Sequence, residues 1–388
     1  MDLATFQNLL TDEGQRALAL ARKLQPTIAT LMRATKQLEK QVSTLLARAA
    51  LSMTLLRQRA RVKFTHADEM YFTREALEQS TSETVSRHRC RRFADFARIG
   101  DFCCGIGGDL IALAEHADVV GVDCDEVRLA MAEQNLKANQ CQRDVTLLNR
   151  DLETSWPTDV EAIFFDPARR TEGRRHLKGE SYQPPLSMIR EWRRQVSGMG
   201  IKLAPGIDPR ELREYQGEVE FLSLGGELKE CVLWLDDLKT CERRATVLPS
   251  GESRSTTEES PPSKVGPPLR YLYDPDPAVT RAGLVTTLAE DLRAHQISEE
   301  IAYLTSDVKV ETPFAWCYEI EASMPFHLKK LRSRLRELKV GHVNLKRRGS
   351  AIGEELIKKL KLSGDQQRIL VLTRCQQSPW VLICQGEH

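Results

Sequence analysis

No stretch of this 388-residue chain approaches the ~20 uninterrupted apolar residues that a membrane-spanning helix needs, so no membrane partner is expected. The opening segment MDLATFQNLLTDEG lacks the basic start and continuous apolar core of a signal peptide, which predicts a cytoplasmic location. Paired cysteine spacings are missing as well. Ten cysteines are present, but no C-x-x-C and no Cys/His grouping of zinc-site form occurs. His66, His88, His176, His327 and His342 are scattered, and the adjacent Cys103 and Cys104 are awkward partners for one tetrahedral ion, so no metal is expected. The thiols read as reduced, several of them buried beside apolar neighbours. Net charge is almost absent at +1, but the average conceals segregation. From Pro325 to Ser363 there are twelve Lys or Arg against three Glu, a local +9, which leaves about −8 on the remainder. Such a segment offers a phosphate-attracting surface.

What is present organises the chain. Its length exceeds what a single core usually orders, and 41% apolar with 29% charged residues is an ordinary globular composition. Residues 1–75 form an N-terminal helical region, in which leucines and alanines recur at helical spacing through TKQLEKQVSTLLARAALSMTLLRQRARVKF. The region reads as a packing layer, although the basic run Arg57, Arg59, Arg61 and Lys63 leaves direct binding open. Residues 76–247 alternate short apolar strands with helices: IGDFC, VVGVD, VTLLN, AIFFD, IKLAP, VEFLSL and ECVLWL. That alternation predicts right-handed βαβ units and a parallel sheet, with the last two strands as an antiparallel pair at one edge. Residues 248–268 are rich in Ser, Pro, Gly and Glu and read as a mobile linker or surface loop. Residues 269–313 connect an extended segment to a helix, and 314–388 read as a compact α+β module with a basic helix, FHLKKLRSRLREL. Trp192, Trp234, Trp316 and Trp380 read as core residues.

The chemistry concentrates in DFCCGIGGD, Asp101 to Asp109. A strand ending in an acid, a glycine loop and then a helix brings backbone close to a nucleotide-like ligand. A dinucleotide fingerprint requires a third glycine two residues after Gly108, and the helix continues as DLIALAEHA without it. The spacing Asp101, Gly105, Gly107 fits the D/E-x-x-x-G-x-G loop that holds S-adenosylmethionine in class I methyltransferases. Asp123 ends the second strand, where a carboxylate accepts hydrogen bonds from ribose hydroxyls, a position that both readings share. Asp151 follows the third strand, where methyltransferases often place an acid near the adenine amine. The fourth strand ends in FFDPARR, and an Asp-Pro at this tip suits a methyl-acceptor site.

These segments, taken with GRR, PPL, KLAPG, LKECVLW, LYDPDPAVTRAGL, KKLRSRLREL and LKRRG, resemble the bacterial class I S-adenosylmethionine-dependent methyltransferases that carry a C-terminal THUMP-like domain. The resemblance extends over nearly the whole chain, including VKFTHADEMYFTREALEQST and SRHRCRRFA. It implies a Rossmann-like α/β methyltransferase domain after the N-terminal helices, a THUMP-like α+β domain at the end, S-adenosyl-L-methionine as cofactor, and RNA as partner. Carried over by position, Asp101, Cys103, Gly105, Gly107, Asp123 and Asp151 are expected at the cofactor, and Asp166, Pro167 and Arg169 at the acceptor. Ala168 and Arg169 replace the second proline and the aromatic of the better-known D/N-P-P-Y/F/W pattern, so base stacking must come from elsewhere, or Arg169 must serve a base or phosphate. Arg170, Arg174, Arg175, Lys329, Lys330, Lys346, Arg347 and Arg348 are the expected nucleic-acid contacts. The resemblance does not fix the substrate; the expected reaction is methylation of RNA at a base amine. Alternatives are a cofactor-binding RNA binder without turnover, or a methyltransferase acting on a ribose hydroxyl, with Asp166 and Lys202 in an acid–base set, on DNA or on protein.

Overall fold

The computed structural model describes the chain apart from residues 169, 172, 173, 176–178, 258–260, 354 and 386–388, and gives only the backbone of 170, 171, 174 and 175. The chain divides into two compact units, residues 1–219 with 230–240, and residues 220–229 with 241–388. Composition places a boundary after 247 instead, because a Ser/Pro-rich stretch marks exposed chain rather than the division between packed cores.

The first unit opens with four helices, α1 (Leu3–Leu10), α2 (Asp12–Leu24), α3 (Leu31–Leu38) and α4 (Thr44–Ala60). Polar caps set the breaks within an otherwise uniform helical pattern. Asp2, Thr11 and Ser43 each accept a hydrogen bond from a first-turn backbone N–H, at 2.8, 3.2 and 3.4 Å. Each such cap is worth about 1 kcal/mol. Phe6, Leu9, Ala17, Ala21, Ala50, Leu51 and Met53 are fully buried between these helices. Three residues of the basic run at the end of α4 are engaged within the fold. Arg57 lies over the Tyr71 ring at 4.7 Å and donates to the Met70 carbonyl at 2.8 Å. Arg61 pairs with Asp68, and Lys63 donates to the carbonyls of Leu77 and Ser80.

After α5 (Arg74–Gln79) and α6 (Glu83–Cys90) come β1 (Arg98–Phe102), α7 (Gly108–Leu113), β2 (Asp118–Asp123), α8 (Glu126–Ala138), β3 (Val145–Asn149) and β4 (Ala162–Phe165). Two short strands, β5 (Arg170–Thr171) and β6 (Arg174–Arg175), form an antiparallel pair. Next are α9 (Ile189–Trp192), β7 (Gly198–Leu203) and the hairpin strands β8 (Glu218–Leu224) and β9 (Glu227–Asp236). β1 lies between β2 and β4, β3 lies beyond β2 and β7 beyond β4, all parallel, and β9 pairs antiparallel with β7. Chain order reverses at β1, which opens a crevice at the carboxyl ends of β1, β2 and β4. In β1, β2, β4 and β7 nearly every residue is buried, as expected when helices cover both faces of a sheet, whereas β3 at the edge is only half-buried. Trp192 and Trp234 are 0% exposed, and Trp192 packs edge-on against Phe102 and Phe165 at 5.1 and 5.0 Å.

In the second unit, Gly225 and Gly226, at φ 59° and 80°, turn the β8–β9 hairpin. β10 (Arg243–Leu248) pairs antiparallel with β11 (Glu252–Thr256). The stretch expected to be a mobile linker therefore carries an edge strand of wholly polar residues, held by its backbone pairing to β10 rather than by apolar burial. β12 (Tyr271–Pro275) is followed by two helices rather than one, α10 (Pro277–Arg281) and α11 (Val285–Asp291), separated where Gly283 takes φ 69°. The remaining elements are β13 (His295–Ser298), β14 (Ile301–Ser306), β15 (Ala315–Pro325), α12 (Leu328–Glu337), β16 (Val340–Arg347), α13 (Glu355–Leu360), β17 (Gln366–Cys375) and β18 (Ser378–Gln385). Their strand order is β13-β14-β12-β15-β18-β17-β16. Along β17, Leu370 and Leu372 join one core with Leu331, Leu335, Leu356 and Leu360 of the two helices, whereas Ile369 and Val371 join a second core with Leu272, Ile301 and Tyr303. Burial on both faces explains the continuous apolar runs of RILVLTR and PWVLICQ.

Among the described residues, no helix is long and apolar enough to cross a membrane, and no group of three or more His, Cys, Asp or Glu is placed to hold a metal.

Candidate active site

At the end of β1 the backbone turns through three left-handed positions, Cys103 at φ 65°, Gly105 at φ 56° and Gly107 at φ 87°, before α7 begins. A Cβ added at Gly105 would meet no atom within 4 Å, so this backbone faces open space. Gly105 also donates its N–H to Oδ2 of Asp123 at 2.9 Å, while the N–H of Asp125 holds Oδ1 at 2.9 Å. Burial pushes the Asp123 carboxyl up, against the opposing pull of those two N–H groups. Loop and strand tip border a cleft of ≈ 230 Å³, lined also by Thr81, Cys103, Arg128, Asp166 and Pro167. A carboxylate with both oxygens oriented can accept from two vicinal hydroxyls, and bare backbone lets a flat, polar ligand approach closely.

A buried ionic chain lies behind the cleft. Nζ of Lys202, on β7, donates to Oδ2 of Asp166 at 2.5 Å and to Oγ1 of Thr81 at 2.7 Å. The Thr81 hydroxyl donates to Oδ2 of Asp109 at 3.2 Å, and Ser86 donates to Oδ1 at 2.7 Å. Arg89 bridges Asp109 and Glu230 and stacks over Phe164 at 4.3 Å. Burial works to raise the Asp109 carboxyl, but Arg89, Lys202, Ser86 and Thr81 hold it below the usual carboxylate range. Asp101 is the opposite case. It is 1% exposed, with neither carboxyl oxygen hydrogen-bonded, and burial with the charges of Asp109 and Asp166 pushes its carboxyl well above that range. Burial, then Asp123 and Asp166, likewise push the Cys103 thiol up, so a protonated thiol lines the cleft.

Residues 99–168, which hold this loop and both acidic strand tips, match the family described as "Methyltransferase domain". Residues 315–386 match "THUMP domain-like", and residues 2–60 match a domain of unknown function. Two uncharacterized S-adenosylmethionine-dependent methyltransferases from two strains of Mycobacterium tuberculosis are each 36% identical over 333 residues, covering 83% of this chain and 91% of theirs. The chain belongs to the class I S-adenosylmethionine-dependent methyltransferases with a THUMP-like domain. Its fold is also that of a Porphyromonas gingivalis protein assigned as a methyltransferase, with TM-score 0.77, 20% identity, and coverage of 96% of this chain and 99% of that one. S-adenosyl-L-methionine is the cofactor of this methyltransferase.

Of the residues the sequence singles out in the methyltransferase domain, Cys103, Gly105, Asp123, Asp166 and Pro167 line one cleft. Asp101 is buried in β1 outside that lining, and Gly107 is the N-cap of α7. Asp151 is exposed, lies outside that lining, and spends Oδ1 on the backbone N–H of Glu153 at 2.9 Å. Arg169 is outside the described residues, as are the side chains of Arg170, Arg174 and Arg175.

In the THUMP-like domain, Lys329, Lys330 and Arg347 are exposed. Lys346 and Arg348 are not free cations of a strand end. Both pair with Asp274 at 3.1 Å, Lys346 also donates to the Tyr318 hydroxyl at 2.6 Å, and Arg348 covers the Tyr303 ring at 5.1 Å. Trp316 is 37% exposed rather than core.

Sequence reasoning missed Thr81, Arg89, Asp109, Arg128 and Glu230. Asp109 stood inside the quoted loop, but an acid in the first turn of a helix reads as a dipole partner, and no spacing links it to Arg89 or Glu230.

Proposed function

We propose that this methyltransferase modifies RNA at a base amine, and the observation that carries the reading is the shared cleft of Gly105, Asp123, Asp166 and Pro167. Asp123 would accept from the ribose hydroxyls of the cofactor, and the open backbone at Gly105 would lie against it. S-adenosyl-L-methionine, when bound, supplies an already activated methyl group, so the protein's task is to position and desolvate the nucleophile. Oδ1 of Asp166 and the Pro167 carbonyl are acceptors at the tip of β4, suited to two N–H groups of an exocyclic amine, which would aim its lone pair into the cleft. The amine's proton can leave after transfer, so no strong base is required.

RNA as the acceptor class is supported by the THUMP-like family match and by the exposed cations of its helices, Lys329, Lys330 and Arg336 on α12 and Lys358 and Lys359 on α13. Charges of this kind attract phosphate without reading sequence. The test is transfer of radiolabelled methyl to total RNA from cells lacking the protein, beside RNA from wild-type cells, DNA and protein extract. Label confined to the deficient RNA is expected, lost in Asp166→Ala with cofactor affinity unchanged. Label in DNA or protein instead overturns the RNA reading.

A further inference from the structure

We propose that Lys202 is a positioning residue that clamps the acceptor-side carboxylate Asp166 and is itself braced, through Thr81, by the buried Asp109–Arg89–Glu230 ions. The proposal rests on the reading of Asp166 as the acceptor-side carboxylate.

Lys202 is 3% exposed, and an ammonium removed from water is tolerated only when paired and hydrogen-bonded. Its surroundings meet that demand with alternating charge, Glu230, Arg89, Asp109, Lys202 and Asp166 in turn, with Thr81 between the third and fourth. The direction of the hydrogen bonds follows from donor chemistry. An ammonium only donates and an ionised carboxylate only accepts, so the Thr81 hydroxyl must accept from Lys202 and pass its own hydrogen to Asp109. Position 81 thus needs a hydroxyl, and Lys202 needs a donor head. In this arrangement Lys202 holds its neighbours in place, a role distinct from the acid–base one expected for a ribose hydroxyl acceptor.

The brace also reaches β4 itself, because the Arg89 guanidinium stacks on Phe164, two residues before Asp166. Asp166 stands at a strand tip with its side chain 22% exposed, so without Lys202 its carboxylate has rotamers to explore. A displacement of about 1 Å at a reacting centre can lower turnover about 100-fold.

Full-length protein, radiolabelled cofactor and RNA from cells lacking the protein test this. Lys202→Met is expected to lower kcat about 100-fold, with KM for RNA and cofactor Kd within about 3-fold of the parent. Added ethylammonium should restore at least about a tenth of the lost rate to Lys202→Ala, a rescue that a purely structural residue would not show. Thr81→Val should lose about 10-fold in kcat while Thr81→Ser keeps the rate, and this pair carries the test if the Lys202 variants do not fold. Parental rates in both Lys202→Met and Thr81→Val overturn the clamp, as does a loss that amine does not rescue and that tracks weakened cofactor binding. The same pattern with label in DNA or protein leaves the clamp standing and removes the RNA reading. No label in any pool from the parent protein overturns both.

Discussion

The backbone N–H of Gly105 and the Oδ2 of Asp123 meet at 2.9 Å, tying the loop after the first strand to the tip of the second. The bond has two consequences. It holds the loop in the left-handed conformation that leaves its outer face bare, and it aims a carboxylate whose second oxygen Asp125 already fixes. Loop shape and ligand polarity are therefore set by one contact.

Replacing Asp123 by Ala removes charged acceptors worth about 1.5–3 kcal/mol, and should weaken S-adenosyl-L-methionine binding about 10- to 100-fold. Gly105→Ala has room for its Cβ but must hold φ 56°, so a milder loss of affinity with a small drop in stability is expected. Titration calorimetry with the cofactor, beside a thermal melt, separates the two effects. Unchanged affinity in Asp123→Ala would remove this carboxylate from the cofactor site.

Arg89 is wholly buried between Asp109 and Glu230. Arg89→Met leaves two carboxylates without their cation and should cost about 3–5 kcal/mol of stability. Urea unfolding at neutral pH measures it, and a change below about 1 kcal/mol would mean that water or another cation replaces the guanidinium.

Asp101 carries a sign that differs from its neighbour's. Its carboxyl is pushed up in the folded protein, so between the unfolded value near about 3.9 and its raised native value the folded state binds one more proton. Stability contributed by this group is present at low pH and is lost as pH rises through that window, by up to about 1.4 kcal/mol per pH unit. Asp101→Asn should remove this slope from the pH dependence of unfolding. Asp109, held low, contributes the opposite slope, with stability lost as pH falls through its depressed value. Identical pH profiles for the parent protein and Asp101→Asn would show that the carboxyl does not titrate differently on folding.

The C-terminal cations fall into two groups that a salt titration distinguishes. Lys329 and Lys330 are exposed on α12, and their joint replacement by Ala should lower the salt slope of single-stranded RNA binding by about 1.4 with little change in stability. Lys346→Met should act the other way, destabilising the domain by uncovering Asp274 and Tyr318 while moving the slope little. Filter binding at several salt concentrations, with melts of each variant, checks both. A large slope change in Lys346→Met would place it on the RNA after all.

The amino-acid sequence by itself determined the strand–loop–helix order, the acids at three strand tips and the segregation of basic charge. These are local properties: the alternation of apolar residues, the left-handed tolerance of glycine, and a loop whose ligand is met by residues a few positions apart. Only the tertiary structure decided which charges are exposed and which are internal. Lys346 and Arg348 read as a basic strand end until Asp274 is placed beside them, and Arg57 and Lys63 read as a basic run until their carbonyl partners appear. The same holds for Arg89, Asp109, Lys202 and Glu230, which stand on four different elements and share no spacing. A buried ion's partner is chosen by desolvation, which acts through distance in space, so no periodicity along the chain records it.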